Sequence, residues 1–185
     1  MTVSAEQWAE VKLLVCDVDG VLTDGTVLYG AQGELAKPFY IRDGMGLRLL
    51  EAAGVRVAII TSEDSPVVSG RVKKLLLSAY RPGMKRKGDA LRAVMAEFGV
   101  TPEQTAYVGD DVNDAEAFEI AGIPCAPGDA SDFALERAKY VAKQSGGKGA
   151  VREIADLILK ARQLDSDVLW RGIHTQAEAH DSGSV

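Results

Sequence analysis

Two cysteines and two histidines are all that 185 residues contain, which leaves little material for a zinc site or a disulfide framework. Cys16 and Cys125 each sit inside an apolar stretch without metal-ligand spacing, the setting of small buried core residues. His174 and His180 fall in the polar end "HTQAEAHDSGSV", where solvated side chains are expected rather than catalytic ones. No apolar run reaches bilayer-spanning length, and the start "MTVSAEQWAE" has neither a basic n-region nor an apolar h-region, so the expected setting is the cytoplasm. The net charge is −6, with lysine and arginine scattered rather than gathered into a stripe, which speaks against nucleic acid as a partner. An anionic substrate would need a local cation.

The hydrophobic content, 46%, suits one ordinary domain with a sizeable core. Residues 1–162 are expected to form that domain, with 163–185 as an extension whose end is mobile. Apolar runs rich in β-branched residues ("VKLLVCDV", "VRVAII", "TAYVGD", "GIPCA", "KYVAK") alternate with amphipathic stretches, predicting an α/β fold with a Rossmann-like parallel sheet flanked by helices. "DSP" at 64–66 offers a helix start. "TPEQ" places Thr101 at an N-cap, Pro102 at the first helical position and Gln104 at the third, just before a strand, so any helix there is short. Residues 26–41, "TVLYGAQGELAKPFYI", read as a protruding β-hairpin. "GMG" at 44–46 lacks the third glycine and the preceding strand of a dinucleotide site.

The chemistry lies at the strand ends, where ligands bind in a parallel α/β sheet. The first strand ends in Asp17 and Asp19, the second in Thr61 and Ser62, and "TAYVG" in Asp110 and Asp111, followed by Asn113 and Asp114. Lys87 opens the helix before that third strand. Clustered carboxylates without imidazole or thiolate suit a hard divalent cation such as Mg2+. A carboxylate can also attack phosphorus, so Asp17 is the candidate nucleophile and Asp19 the candidate acid/base. Thr61 or Ser62, main-chain amides and Lys87 would hold the phosphoryl oxygens. Asp24, before Gly25, is expected to shape the turn into the hairpin. A solvated loop is the plain reading of "DxD" or "GDD" taken singly; their joint occurrence at successive strand ends favours a site.

These residues resemble the haloacid dehalogenase-like phosphohydrolases, with "DVDGVLTDG", Thr61, Lys87 and "GDDVND" in the places of the four family motifs. The resemblance implies that Asp17, the Asp19 carbonyl and Asp110 hold magnesium while Asp111 orients metal-bound water. The short hairpin in place of a cap, "RDGMGLRLL" and "GGKGAVREI" resemble the capless branch of octulosonate 8-phosphate (KDO 8-phosphate) and nonulosonate 9-phosphate phosphatases. Membership of that branch implies a phosphorylated sugar acid as substrate and a homotetramer in which hairpins associate and a neighbour helps to close each site. It implies substrate contacts for Arg42, Asp43, Gly44, Arg48, Arg71 and Lys87. Octulosonate enzymes usually read "TGR" where this chain reads "TSE", so Glu63 replaces a substrate-binding arginine. Glu63 with Lys74 resembles the nonulosonate members instead, whereas the plain alternative is an exposed Glu63–Lys74 ion pair. A non-catalytic oligomerisation module, as fused to some sialic-acid cytidylyltransferases, is the competing expectation.

Overall fold

The structure is a computed structural model and describes residues 3–181. In chain order the elements are α1 (Ala5–Glu10), β1 (Leu13–Cys16), β2 (Leu28–Gly30), β3 (Gly33–Ala36), α2 (Ile41–Ala52), β4 (Arg56–Ile60), α3 (Pro66–Leu75) and β5 (Ala79–Arg81). There follow α4 (Lys87–Phe98), β6 (Thr105–Val108), α5 (Ala115–Ile120), β7 (Ile123–Ala126), α6 (Asp132–Arg137), β8 (Tyr140–Val141), α7 (Ala150–Ala161) and α8 (Ser166–Asp181).

Six strands form one parallel sheet in the order β5-β4-β1-β6-β7-β8. β1 lies between β4 and β6, so the chain leaves β1 toward one side of the sheet and later returns to its other side. This strand order places the ends of β1, β4 and β6 next to one another. β1, β6 and β7 are buried at every residue because helices cover both faces, which is why they read as continuous apolar runs. Successive side chains alternate between two cores. Leu14, Cys16, Val57, Ile59 and Val108 pack under α1, α2, α3 and α7, while Leu13, Val15, Ala58, Ile60 and Tyr107 face α4, α5 and α6. Cys16 and Cys125 are free and buried, as expected.

The helix starts follow the predicted caps. Ser65 accepts from the Val68 amide with Pro66 at the first helical position, and Thr101 and Gln104 close a capping box over a single 3₁₀ turn, Pro102–Gln104. β2 and β3 form the expected hairpin, exposing Leu28, Tyr29 and Leu35. β5 was not expected: it is a three-residue edge strand with only Ala79 buried, too short to show a pattern. From His174 the chain, which lacks a clear sequence pattern, continues as helix to Asp181. Asp165 starts this α8 by accepting from the Asp167 and Val168 amides, and Leu169 and Ile173, four residues apart, pack on the core beneath. The expected mobility of residues 182–185 falls outside the described residues. No helix among the described residues is long and apolar enough to cross a membrane.

Candidate active site

A cleft of about 390 Å³ opens at the carboxyl ends of β1, β4 and β6, lined by Asp17, Asp19, Thr61, Glu63, Asp110 and Asp111, among others. Three predictions from separate parts of the chain therefore meet in one place. Asp17 follows β1, its amide bonded to the Val108 carbonyl at 2.9 Å, and its carboxylate is buried. Lys87 at the start of α4 reaches it, with Nζ 2.6 Å from Asp17 Oδ2 and 2.7 Å from Asp114 Oδ1. The lysine side chain is fully buried. Burial alone would lower its pKa, but Asp17 and Asp114 outweigh that and raise it, so it remains an ammonium.

Asp114 organises the loop after β6. Its Oδ1 accepts from Lys87 and, at 2.6 Å, from the Tyr107 hydroxyl; its Oδ2 accepts from the Asp110 amide at 2.9 Å and the Asp111 amide at 3.4 Å. Burial and the nearby carboxylates push the Tyr107 phenol well above its ordinary pKa, keeping it a neutral donor. Gly109 makes room for this: a Cβ there would overlap the Asp114 carboxyl. Gly20 has φ +81°, and a Cβ there would collide with the Asp110 carboxylate, so only glycine lets the loop after β1 close under Asp110. Thr61 is buried at the end of β4, where its Oγ1 accepts from the Glu63 amide. Ser62 also lines the cleft, its hydroxyl directed to the Met84 carbonyl. Asp111 caps its own turn through the Val112 amide, and Asp24 accepts from the Thr26 amide, forming the expected turn into the hairpin.

The charge balance points to a cation. Carboxylate oxygens of Asp17, Asp110 and Asp114 lie within 4.8 Å of one another, against a single ammonium. Burial, then Asp114, pushes Asp17 up to about 7 against the pull of Lys87; burial, then Asp17 and Asp114, pushes Asp110 up to about 7 as well. Both oxygens of Asp114 are already engaged, which leaves Asp17 and Asp110 as the side chains open to a metal. An all-oxygen set with excess negative charge fits magnesium. Because protons compete for these carboxyls, Mg2+ is expected to raise the melting temperature strongly at pH 8 and weakly at pH 6. At a hundredfold excess over Kd the gain at pH 8 is about 2.7 kcal/mol, or about 5–10 °C for a chain of this size. Thermal unfolding with Mg2+ and with EDTA at both pH values checks this; equal shifts would count against metal binding through these carboxyls.

Two site contacts had no sequence signal. Lys37, just beyond β3, is buried and pairs with both oxygens of Asp19, at 2.8 and 2.7 Å. A lysine in a hairpin arm reads as surface charge, and its partner lies 18 residues away. Tyr107 reads as ordinary strand core. Asp114 was visible in "GDDVND", but not its role as the loop's organiser.

Several expected substrate contacts lie elsewhere within this single chain. Asp43 is buried and caps α7, its Oδ1 accepting from the Arg152 amide at 2.8 Å. Gly44 lies against the Arg71 guanidinium, which itself sits 5.7 Å from the centre of the Phe39 ring. Arg48 donates to the Leu75 carbonyl at the end of α3. Arg42 lines a separate groove of about 590 Å³ together with Tyr40, Lys148 and Arg152. Lys74 is exposed on α3 and is not the partner of Glu63, which pairs at the surface with Lys85 at 3.4 Å. The plain Glu63–Lys74 pair is therefore corrected: the loop after β5 brings Lys85 nearer.

Comparison with known proteins agrees with this geometry. Residues 30–122 match the haloacid dehalogenase-like hydrolase family. The 3-deoxy-D-manno-octulosonate 8-phosphate phosphatase of Haemophilus influenzae is 41% identical over 156 residues, covering 84% of this chain and 87% of that one. The crystal structure of the corresponding Yersinia pestis phosphatase superposes with a TM-score of 0.84 at 40% identity, covering 86% of each chain. That of the Moraxella catarrhalis phosphatase, in complex with magnesium, phosphate and KDO, gives a TM-score of 0.85 at 34% identity, covering 91% of this chain and 97% of that one. With a six-stranded parallel sheet, a hairpin where a cap would stand and the carboxylates gathered at the strand ends, this chain belongs to the haloacid dehalogenase-like hydrolase family.

Proposed function

We propose that this chain is a magnesium-dependent phosphatase that hydrolyses the terminal phosphomonoester of a 2-keto-3-deoxy sugar acid, with octulosonate 8-phosphate as the leading substrate. The observation that carries the reading is the buried Asp17 carboxylate at the floor of the cleft, 2.6 Å from the Lys87 ammonium, with Asp19 on the same wall. Relatives with the same fold and about 40% identity act on this substrate by name.

An Asp17 oxygen attacks phosphorus in line with the sugar oxygen. The bond from phosphorus to that oxygen breaks while Asp19 supplies its proton, leaving an aspartyl-phosphate and the free sugar acid. Asp19 then takes a proton from a water that attacks the same phosphorus, and the bond to Asp17 breaks to release phosphate. Lys87, Thr61 or Ser62, and main-chain amides hold the non-bridging oxygens, where charge accumulates. Asp17, the Asp19 carbonyl and Asp110 would hold the magnesium, with Asp111 orienting its water. The ion supplies charge neutralisation between the phosphoryl group and the carboxylates.

Arg42, Arg48, Arg71 and Lys74 do not line their own chain's cleft. A homotetramer, in which a neighbour brings such groups to the cleft, accounts for this, and the exposed Leu28, Tyr29 and Leu35 offer the hairpin an apolar surface for association. Glu63 is the lining residue that faces the sugar acid with the wrong sign for its carboxylate. Phosphate release from octulosonate 8-phosphate and from a nonulosonate 9-phosphate, with and without Mg2+, tests the proposal; no metal-dependent release from either would overturn it. Glu63→Arg is expected to raise kcat/KM for the eight-carbon acid relative to the nine-carbon one by on the order of tenfold, the scale of one charge-assisted hydrogen bond. An unchanged preference would remove Glu63 from substrate selection.

A further inference from the structure

Asp19 has to change partners during the proposed cycle, yet both of its oxygens are held by one ammonium. Lys37 approaches them at 2.8 and 2.7 Å, with its own side chain almost wholly buried. Asp19 lines the cleft, whereas Lys37 is not among the groups that line it. Its backbone is restrained in turn, since Pro38 confines the preceding residue to extended conformations. Its ammonium is anchored a second time, by Glu34 Oε2 at 3.5 Å, and Glu34 accepts from the hydroxyl of Ser65, the cap of α3. A continuous polar chain thus runs from the start of α3 through the hairpin to Asp19.

Resting on the proposed phosphatase reading, we infer that Lys37 is a positioning residue for Asp19. It holds the carboxylate in one orientation at the cleft wall, so that the acid/base returns to the same place for each half of the reaction. A hairpin lysine that only stabilised the fold would not need to grip both oxygens of this carboxylate. Its effect on rate would then also be independent of Asp19.

The experiment is a double-mutant cycle on kcat and KM with the alkyl phosphomonoester substrate, using Lys37→Met, Asp19→Asn and the pair together. Lys37→Met is expected to lower kcat by about 10–100-fold, the cost of a misplaced reacting group, with KM within about twofold of wild type. In the Asp19→Asn background the same substitution should change kcat by less than about twofold, because nothing is left to position. Lys37→Arg should recover part of the loss, since it keeps a buried cation next to Asp19. Thermal unfolding is followed for each variant. If Lys37→Met does not fold, Glu34→Gln, which loosens Lys37 but keeps its charge paired, carries the same cycle with the same criterion. An undiminished kcat, or losses that multiply independently in the double variant, would overturn the inference while leaving the phosphatase reading intact. A wild-type chain that releases no phosphate would overturn both.

Discussion

Asp17→Asn is expected to cut phosphate release by about 10⁴-fold or more while leaving the metal-free fold at least as stable as the wild type. An amide has the same shape as the carboxylate but cannot form the acyl phosphate, so the first displacement is lost rather than slowed. The stability follows from the environment of the residue. In the folded chain burial and Asp114 raise the Asp17 carboxyl to about 7, above its ordinary value. A group raised in this way contributes stability that is present at low pH and lost as pH rises through about 7. At pH 8 the ionised Asp17 is therefore a burden on the metal-free protein, and the neutral amide removes it. Lys87 keeps Asp114 as a partner at 2.7 Å, so no buried cation is stranded. Kinetics and thermal unfolding in EDTA at pH 8 check both halves; retained turnover would sink the assigned nucleophile.

Lys87→Met reverses that pattern, because here activity and fold fall together. The ammonium is the one cation between Asp17 and Asp114, and its removal leaves two buried carboxylates facing each other. Breaking a buried pair by deleting one partner costs about 3–5 kcal/mol, or about 6–20 °C in melting temperature at this chain length. The loss should shrink as pH is lowered from 8 to 6, where Asp17, pushed up to about 7 by burial and then Asp114, regains its proton, and phosphate release should be lost at both pH values. Unfolding curves across that range provide the measurement, and a pH-independent loss would mean that packing, not charge, is what Lys87 supplies.

Asp17, Thr61 and Asp110 were legible because each lies within two residues of the end of an apolar run, and a parallel sheet brings such ends together. Lys87 was legible as the first residue of an amphipathic helix. Lys37 was not, and neither was the capping role of Asp43, since their partners, Asp19 and the start of α7, lie far away in sequence and no local pattern marks a buried charge. The same limit explains why Glu63 meets Lys85 rather than Lys74: side-chain pairing depends on how the loop after β5 folds back. Asp43, Gly44 and Arg48 carried the family's pattern, yet within one chain they cap α7, back Arg71 and bond the end of α3. Their residue types are visible in sequence; whether they face the cleft depends on packing.

Release of phosphate through a covalent bond to Asp17 leaves its record in the stereochemistry at phosphorus. Each in-line displacement inverts the phosphorus centre, so two in succession restore it. With a thiophosphate analogue of the sugar acid ester, made chiral by oxygen-isotope labelling and hydrolysed in differently labelled water, net retention of configuration is expected. Net inversion would mean that water attacks the ester directly, and Asp17 would not be the nucleophile.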